Sequence, residues 1–212
     1  MRTTGSGGGV HAEVRIGDTK VMIGGGNAWG GTPTATALHL YVPDADLVYR
    51  RAIEAGAVSL RPPVDQPYGD REASVQDLAG NHWYIATHQT GGHVPAGLGT
   101  VTPYLHPRGT ERLIDFLKQA FAAEEMQIER MPDRTIKHAK IRVGASVIEM
   151  SEAHGEWGPM PTMFYVYLAV RPAVEVIEFV RASRSGCLPA WSCRLRSWPW
   201  RLSSRDPPPA VS

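Results

Sequence analysis

Residues 10–23 and residues 137–150 carry one pattern twice, and this repeat constrains the fold more than any other feature of the chain. His11 falls on His138, Ala12 on Ala139, Arg15 on Arg142 and Gly17 on Gly144, at an offset of 127 positions. A second pair of segments, Ala37–Val42 and Met163–Leu168, keeps nearly the same spacing at 126. Periods of roughly 20–50 residues mark solenoids; a period this long marks a repeated domain. Two complete copies need about twice the 127-residue period, more than the 212 residues present. The reading is therefore of two incomplete copies, the first short at its start and the second at its end.

Composition removes several classes. A formal net charge of +1 gives no drive towards nucleic acid or membrane. No apolar run approaches the roughly 20 residues that span a bilayer. The opening Met-Arg-Thr-Thr-Gly-Ser lacks the apolar stretch of a signal peptide. Only two cysteines are present, Cys187 and Cys193, without zinc-type partners, so a cytoplasmic protein with no disulfide framework is expected. Gly24-Gly25-Gly26 is not followed by a helix, so no phosphate-binding loop is read there.

Taken in order, residues 1–9 read as a flexible lead, and 10–36 as a remnant hairpin turning at Gly17-Asp18, followed by a loop. Leu38, Leu40 and Val42 alternate with His39 and Tyr41, predicting a strand with one apolar and one polar-aromatic face. Asp44 is placed to cap a helix that buries Leu47, Val48, Ala52 and Ile53 and stops at Gly56. A short strand at 58–60, a loop at 61–67 and strands at 71–76 and 82–87 complete a β-α-β-β-β module over 37–88. Residues 89–100 form a linker. The order then repeats over 101–150: a strand to His106, a helix capped by Thr110, a strand at 126–130 and a hairpin at 136–150. Residues 151–169 begin a further module, with a strand at 163–168.

From residue 170 the pattern fails. A short helix fits Arg171–Val180, but beyond it neither helical nor strand periodicity continues. Between Glu178 and Asp206 arginines accumulate with no acidic residue, and Trp191, Trp198 and Trp200 sit among Pro and Ser. The segment 170–212 reads as an atypical tail resembling out-of-frame translation; a basic-aromatic nucleic-acid arm is the functional alternative.

Paired β-α-β-β-β modules resemble the vicinal oxygen chelate superfamily, which includes glyoxalase I, extradiol dioxygenases and bleomycin-resistance proteins. The PhnB-like subgroup is the nearest in appearance. The resemblance is carried by Val101-Thr-Pro-Tyr-Leu105, Ile114-Asp-Phe116 with Ala120-Phe121, and His138-Ala139 with Arg142-Val-Gly144. In the other module it is carried by Leu40-Tyr-Val42, Ala55-Gly56-Ala57, Tyr68-Gly-Asp-Arg71 and Asp77–His88. It implies an α+β fold in which the modules, here in permuted order, close around a barrel-like cavity. Metal-using members hold a divalent ion with one ligand from each of four strands. Those positions fall here on Thr102, Glu149, Ala37 and Tyr84, and the partner repeat offers Met22 and Met163. Glu149 alone ligates strongly, so the set is incomplete, no metal residues are assigned and no cofactor is expected.

Alternation puts His39, Tyr41, His82, Tyr84, Tyr104 and His106 towards the cavity, as candidate substrate-binding residues with Tyr68 and Arg71. Glu149 is the catalytic candidate, read either as a cavity base or as an ordinary paired strand carboxylate. Recurrence of His11 and His138 in both repeats favours a structural role for them. Tyr68-Gly-Asp-Arg71 reads equally as a ligand loop or a salt-bridged turn. The function expected is metal-free binding or sequestering of a small-molecule ligand. The alternatives are a glyoxalase- or dioxygenase-type enzyme acting through Glu149, and a non-functional truncated product. No nucleic-acid or membrane partner is expected; the two modules are expected to close on each other within one chain, with a homodimer through module pairing as the alternative.

Overall fold

The computed structural model describes residues 2–4, 9–25, 34–155, 157–160 and 162–167. The readings of Arg171–Val180 and of the tail from 170 lie outside the described residues. Three strands, β1 (Arg2–Thr4), β2 (Val10–Ile16) and β3 (Thr19–Gly25), form a small sheet. The first module follows as β4 (Ala37–Tyr41), α1 (Ala45–Glu54), β5 (Val58–Asp65), β6 (Asp70–Gln76) and β7 (His82–His88). The second is β8 (Val101–Leu105), α2 (Thr110–Phe121), β9 (Glu124–Arg130), β10 (Ile136–Val143) and β11 (Ser146–Met150).

Both modules use one local topology. The first strand of each lies parallel to the last, β4 to β7 and β8 to β11, and the two middle strands complete antiparallel ladders outward. The modules meet where β4 runs antiparallel to β8, with His39 opposite Thr102 and Ala37 opposite Tyr104. The result is one eight-stranded sheet in the order β5-β6-β7-β4-β8-β11-β10-β9. This is the expected α+β fold of paired modules. Among the described residues the ladder ends at β5 and β9, and the sheet does not close into a barrel.

Alternation along each strand sorts the two faces. On one, Leu40, Val75 and Ile85 pack with Ala45, Val48 and Ala52 of α1. On the same side of the second module, Leu105, Ala139, Ile141, Ile148 and Met150 pack with Ile114 and Leu117 of α2. Helix α1 begins where the Asp44 carboxylate accepts from the Leu47 N–H at 2.8 Å, and the chain leaves it through Gly56 at φ +97°.

Several local expectations change. Thr110 is the first residue of α2 rather than its cap; the cap position is Gly109, at φ +79°. The exposed amides are met from outside the helix, because Glu152 accepts from Gly109 N–H at 2.6 Å and Thr110 N–H at 2.7 Å. Strand β5 continues through Pro62 and Pro63 to Asp65 instead of ending at residue 60. It is an edge strand with two register shifts, where proline leaves no ladder bond unmade. Strand β9 starts at Glu124, two residues early. Residues 2–4, read as flexible lead, pair with β2. Residues 162–167 form no strand, and Leu168 lies outside the described residues.

Candidate functional site

The face opposite the helices gathers a polar-aromatic cluster around His39. Its position follows from the period-two pattern of β4: Leu38 and Leu40 turn to the helix side, so His39 and Tyr41 turn away from it. His39 is buried and lies between two carboxylates from different modules. Its Nδ1 is 3.0 Å from Glu149 Oε2 on β11, and its Nε2 is 3.3 Å from Glu72 Oε2 on β6. The Glu72 approach is an ion-pair distance outside hydrogen-bond geometry. The Tyr41 hydroxyl lies 3.2 Å from the same Nδ1, with its ring stacked on the imidazole at 4.3 Å between centroids.

Glu149 is 1% exposed and is enclosed by basic side chains. His138 Nε2 lies 3.5 Å and Lys140 Nζ 3.7 Å from its Oε1. Glu72 in turn accepts from the Tyr68 hydroxyl at 3.1 Å. Burial alone would neutralise the His39 ring, but the hydrogen bond and charge of Glu149, with the charge of Glu72, outweigh it and hold its pKa up at about 9. Burial likewise opposes the Glu149 charge, yet His138 and His39 hold its pKa down at about 2. At neutral pH this is an imidazolium–carboxylate pair. Desolvation raises the phenol pKa values of Tyr41 and Tyr104.

A second cluster adjoins the first on β7, β8 and the segment after β11. Tyr84 Oη is 2.8 Å from His106 Nε2, and Ser151 Oγ is 3.0 Å from His106 Nδ1. Burial, then the nearby His82 and His154, lower the His106 pKa to about 4, so this ring is neutral. A neutral imidazole has one donor and one acceptor nitrogen, so one of its two neighbours donates and the other accepts. Half-buried Trp157 stacks on His106 at 5.7 Å, with planes 15° apart. The rings of His39, Tyr84 and Tyr104 link the two clusters at 5.2–6.1 Å.

Of the residues predicted from sequence, Glu149, His39, Tyr41, Tyr84, Tyr104 and His106 therefore come together. Tyr68 touches the group through its hydroxyl, while its ring is largely exposed. His82 occupies the same face at the start of β7, where burial lowers its pKa. Arg71 is not part of the group; it pairs with Asp46 of α1 and Asp65 of β5, as a salt-bridged turn would. Sequence reasoning missed Glu72, Lys140, Ser151 and Trp157, and assigned His138 to structure. Lys140 had a signal, because its register partner on β11 is Glu149.

The donors do not fit a four-ligand metal centre. Glu149 is the one strong ligand among the four carried-over positions, and its oxygens already face His39, His138 and Lys140. Glu72 and Glu149 approach opposite nitrogens of one ring, so the three do not converge on a shared ion. Among the described residues no group of three His, Cys, Asp or Glu side chains is arranged to hold one. An open cavity of about 450 Å³ lies elsewhere, on the helix side, lined by Ile16, Leu40, Val48, Ala52, Trp83 and Ile85 among others. The polar member of its lining, Asp77, is saturated by the amides of Ala79 and Asn81 and by the side chains of Asn81 and Trp83. It carries no titratable chemistry of the kind gathered around His39.

Strand order and site together define a paired β-α-β-β-β protein with a buried imidazolium–carboxylate face. No family model matches the chain. It is 37% identical over 88 aligned residues to an uncharacterised protein of Mycobacterium bovis, covering 36% of this chain and 57% of that one. An uncharacterised protein of Mycobacterium tuberculosis matches equally, with 51% of its length covered. The chain thus spans about half the length of the curated relatives it matches. Among solved structures it is similar to glyoxalase I from Zea mays, at 17% identity and a TM-score of 0.49 over 69% of this chain and 55% of that one. The assignment of paired modules rests on the strand order and register above, not on that superposition. No helix among the described residues is long and apolar enough to cross a membrane.

Proposed function

We propose that the chain is a vicinal oxygen chelate superfamily protein that binds a small planar molecule without a metal. The observation that carries this reading is the His39–Glu149 pair. It occupies the face where metal-using members of the superfamily place their ligands, and its charges are satisfied within the protein. Efficient general bases have pKa values near the working pH. Glu149, held near 2, and His39, held near 9, lie far from neutrality on opposite sides. That disfavours the alternative in which Glu149 abstracts a proton. Trp157 stacked on His106, with the tilted rings of Tyr84 and Tyr104 beside them, supplies aromatic surface next to the pair, which suits a planar ligand.

A thermal-shift and tryptophan-fluorescence screen of aromatic small molecules tests this, with Glu149→Gln and Trp157→Ala beside the wild type. The expected result is a stabilising ligand whose binding survives Glu149→Gln and is lost in Trp157→Ala. The opposite result is about one Zn²⁺, Mn²⁺, Fe²⁺ or Ni²⁺ retained per chain after desalting and lost in Glu149→Ala. That would overturn the metal-free reading and direct assays to metalloenzyme chemistry.

A further inference from the structure

The sequence repeat is also a structural one, down to strand register. In β2–β3, Ala12 faces Ile23, Val14 faces Val21, and Ile16 faces Thr19. In β10–β11, Ala139 faces Met150, Ile141 faces Ile148, and Val143 faces Ser146. Every one of these pairs is related by the same offset of 127. The turn glycines match too, Gly17 at φ +58° and Gly144 at φ +59°. Two copies of one hairpin are therefore present, in different surroundings.

The second copy shows what this hairpin is built to pack against. Its free side pairs in parallel with β8, Glu149 to Tyr104 and Met150 to Leu105. Its apolar face lies under α2, where Ile141 and Met150 are 0% exposed. In the first copy the equivalent Val14 is 40% exposed and Ile23 is 52% exposed. Among the described residues, β3 pairs with β2 alone. Beside its last residues the space is open, since a Cβ built on Gly24 or Gly25 would meet nothing within 4 Å.

We infer that the hairpin β2–β3 is a docking surface for a strand–helix segment patterned like residues 101–121. The strand of such a partner pairs in parallel along β3 at Met22 and Ile23. Its amphipathic helix covers Ala12, Val14, Val21 and Ile23, as α2 covers their counterparts. The partner is recognised by an extended apolar strand, a turn, and a helix presenting residues with the spacing of Leu113, Ile114 and Leu117. Met22 stands where the second copy has Glu149; on the face away from the docking helix it lies opposite Glu13, which pairs with Lys20 at 3.2 Å.

The test titrates the full chain with a synthetic peptide of residues 101–121 carrying a photo-crosslinker, alongside Val14→Asp and Ile23→Asp variants. Both substitutions fall on exposed positions, and circular dichroism with a thermal midpoint checks that folding is intact. The expected result is saturable binding of one peptide per chain, crosslinks within residues 10–25, and binding weakened at least about tenfold in either variant. Absence of saturable binding overturns the inference. So do crosslinks confined to residues 136–150, which would show exchange with the chain's own β8–α2 unit. Self-association of the chain that either variant abolishes and that the peptide does not compete away also overturns it, because a different surface of a second copy would then cover the face.

Discussion

Replacing His39 by Gln removes a buried cation while keeping a polar side chain of similar reach. The imidazole pKa rises from 6.5 to about 9 on burial between Glu149 and Glu72. At about 1.4 kcal/mol for each tenfold change in proton affinity, that rise corresponds to about 3 kcal/mol of stability. The sign follows from linkage. A group whose pKa is higher in the folded state stabilises fully below its unfolded value and loses that contribution as pH rises through the folded value. The contribution of His39 is therefore complete near pH 6 and falls away from about pH 6.5 to about pH 9. Urea unfolding followed by tryptophan fluorescence, at intervals from about pH 6 to about pH 10, gives the profile for wild type and His39→Gln. The wild type is expected to lose about 3 kcal/mol more than the variant across that range. Imidazole NMR resonances supply an independent reading, with His39 titrating well above the ordinary histidine range. Parallel stability profiles, or a His39 resonance titrating near 6.5, would refute the ion-pair reasoning.

Three further outcomes follow from local contacts. Glu152→Ala removes the acceptor of two amides at the start of α2 and is expected to cost about 1–2 kcal/mol by chemical denaturation. Ile141→Ala opens a fully buried position and is expected to cost about 2–5 kcal/mol, while Val14→Ala at the repeat-equivalent exposed position costs under about 0.5 kcal/mol; similar values for the two would contradict the burial difference. Arg71→Ala breaks an ion pair about one-third exposed on both sides and is expected to change stability by less than about 1 kcal/mol and ligand binding not at all.

How much of this was legible in the sequence depends on the range of the information. Period-two alternation is local, so it put His39 and Tyr41 on the polar face of β4, and Tyr84 on that of β7, with no knowledge of the partner strands. The α+β pairing was legible because each module repeats the same strand–helix–strand order. The cap of α2 was not, because the group that meets its first amides is Glu152, more than forty residues away along the chain. Thr110 offered a hydroxyl of the right chemistry, but that hydroxyl is buried without a hydrogen-bond partner.

Glu72 shows where strand-by-strand reading stops. Its neighbours Ala73 and Val75 are buried, and the period-two pattern of β6 turns Glu72 to the opposite face. Nothing local distinguished it from an ordinary solvated carboxylate. Its role arises from two ladders at once: β6 sets Glu72 against Ala86 of β7, and β7 in turn sets Ala86 against Tyr41 of β4. This leaves the carboxylate two ladder steps from Tyr41, whose neighbour on the same face is His39, and with Glu149 it holds that histidine as a buried cation. His138 was misjudged for a related reason. Its recurrence as His11 argued for structure, but the partner differs between the copies: His138 lies 3.5 Å from the buried Glu149 on the next strand, and His11 lies 3.9 Å from the half-buried Glu13 on its own strand. An imidazole beside a buried carboxylate helps hold that carboxylate ionised, whereas in the uncovered hairpin Met22 takes the position of Glu149 and the imidazole neighbours the partly exposed Glu13. The same sequence signal thus has two physical meanings, set by the carboxylate each imidazole meets and by whether its hairpin is covered.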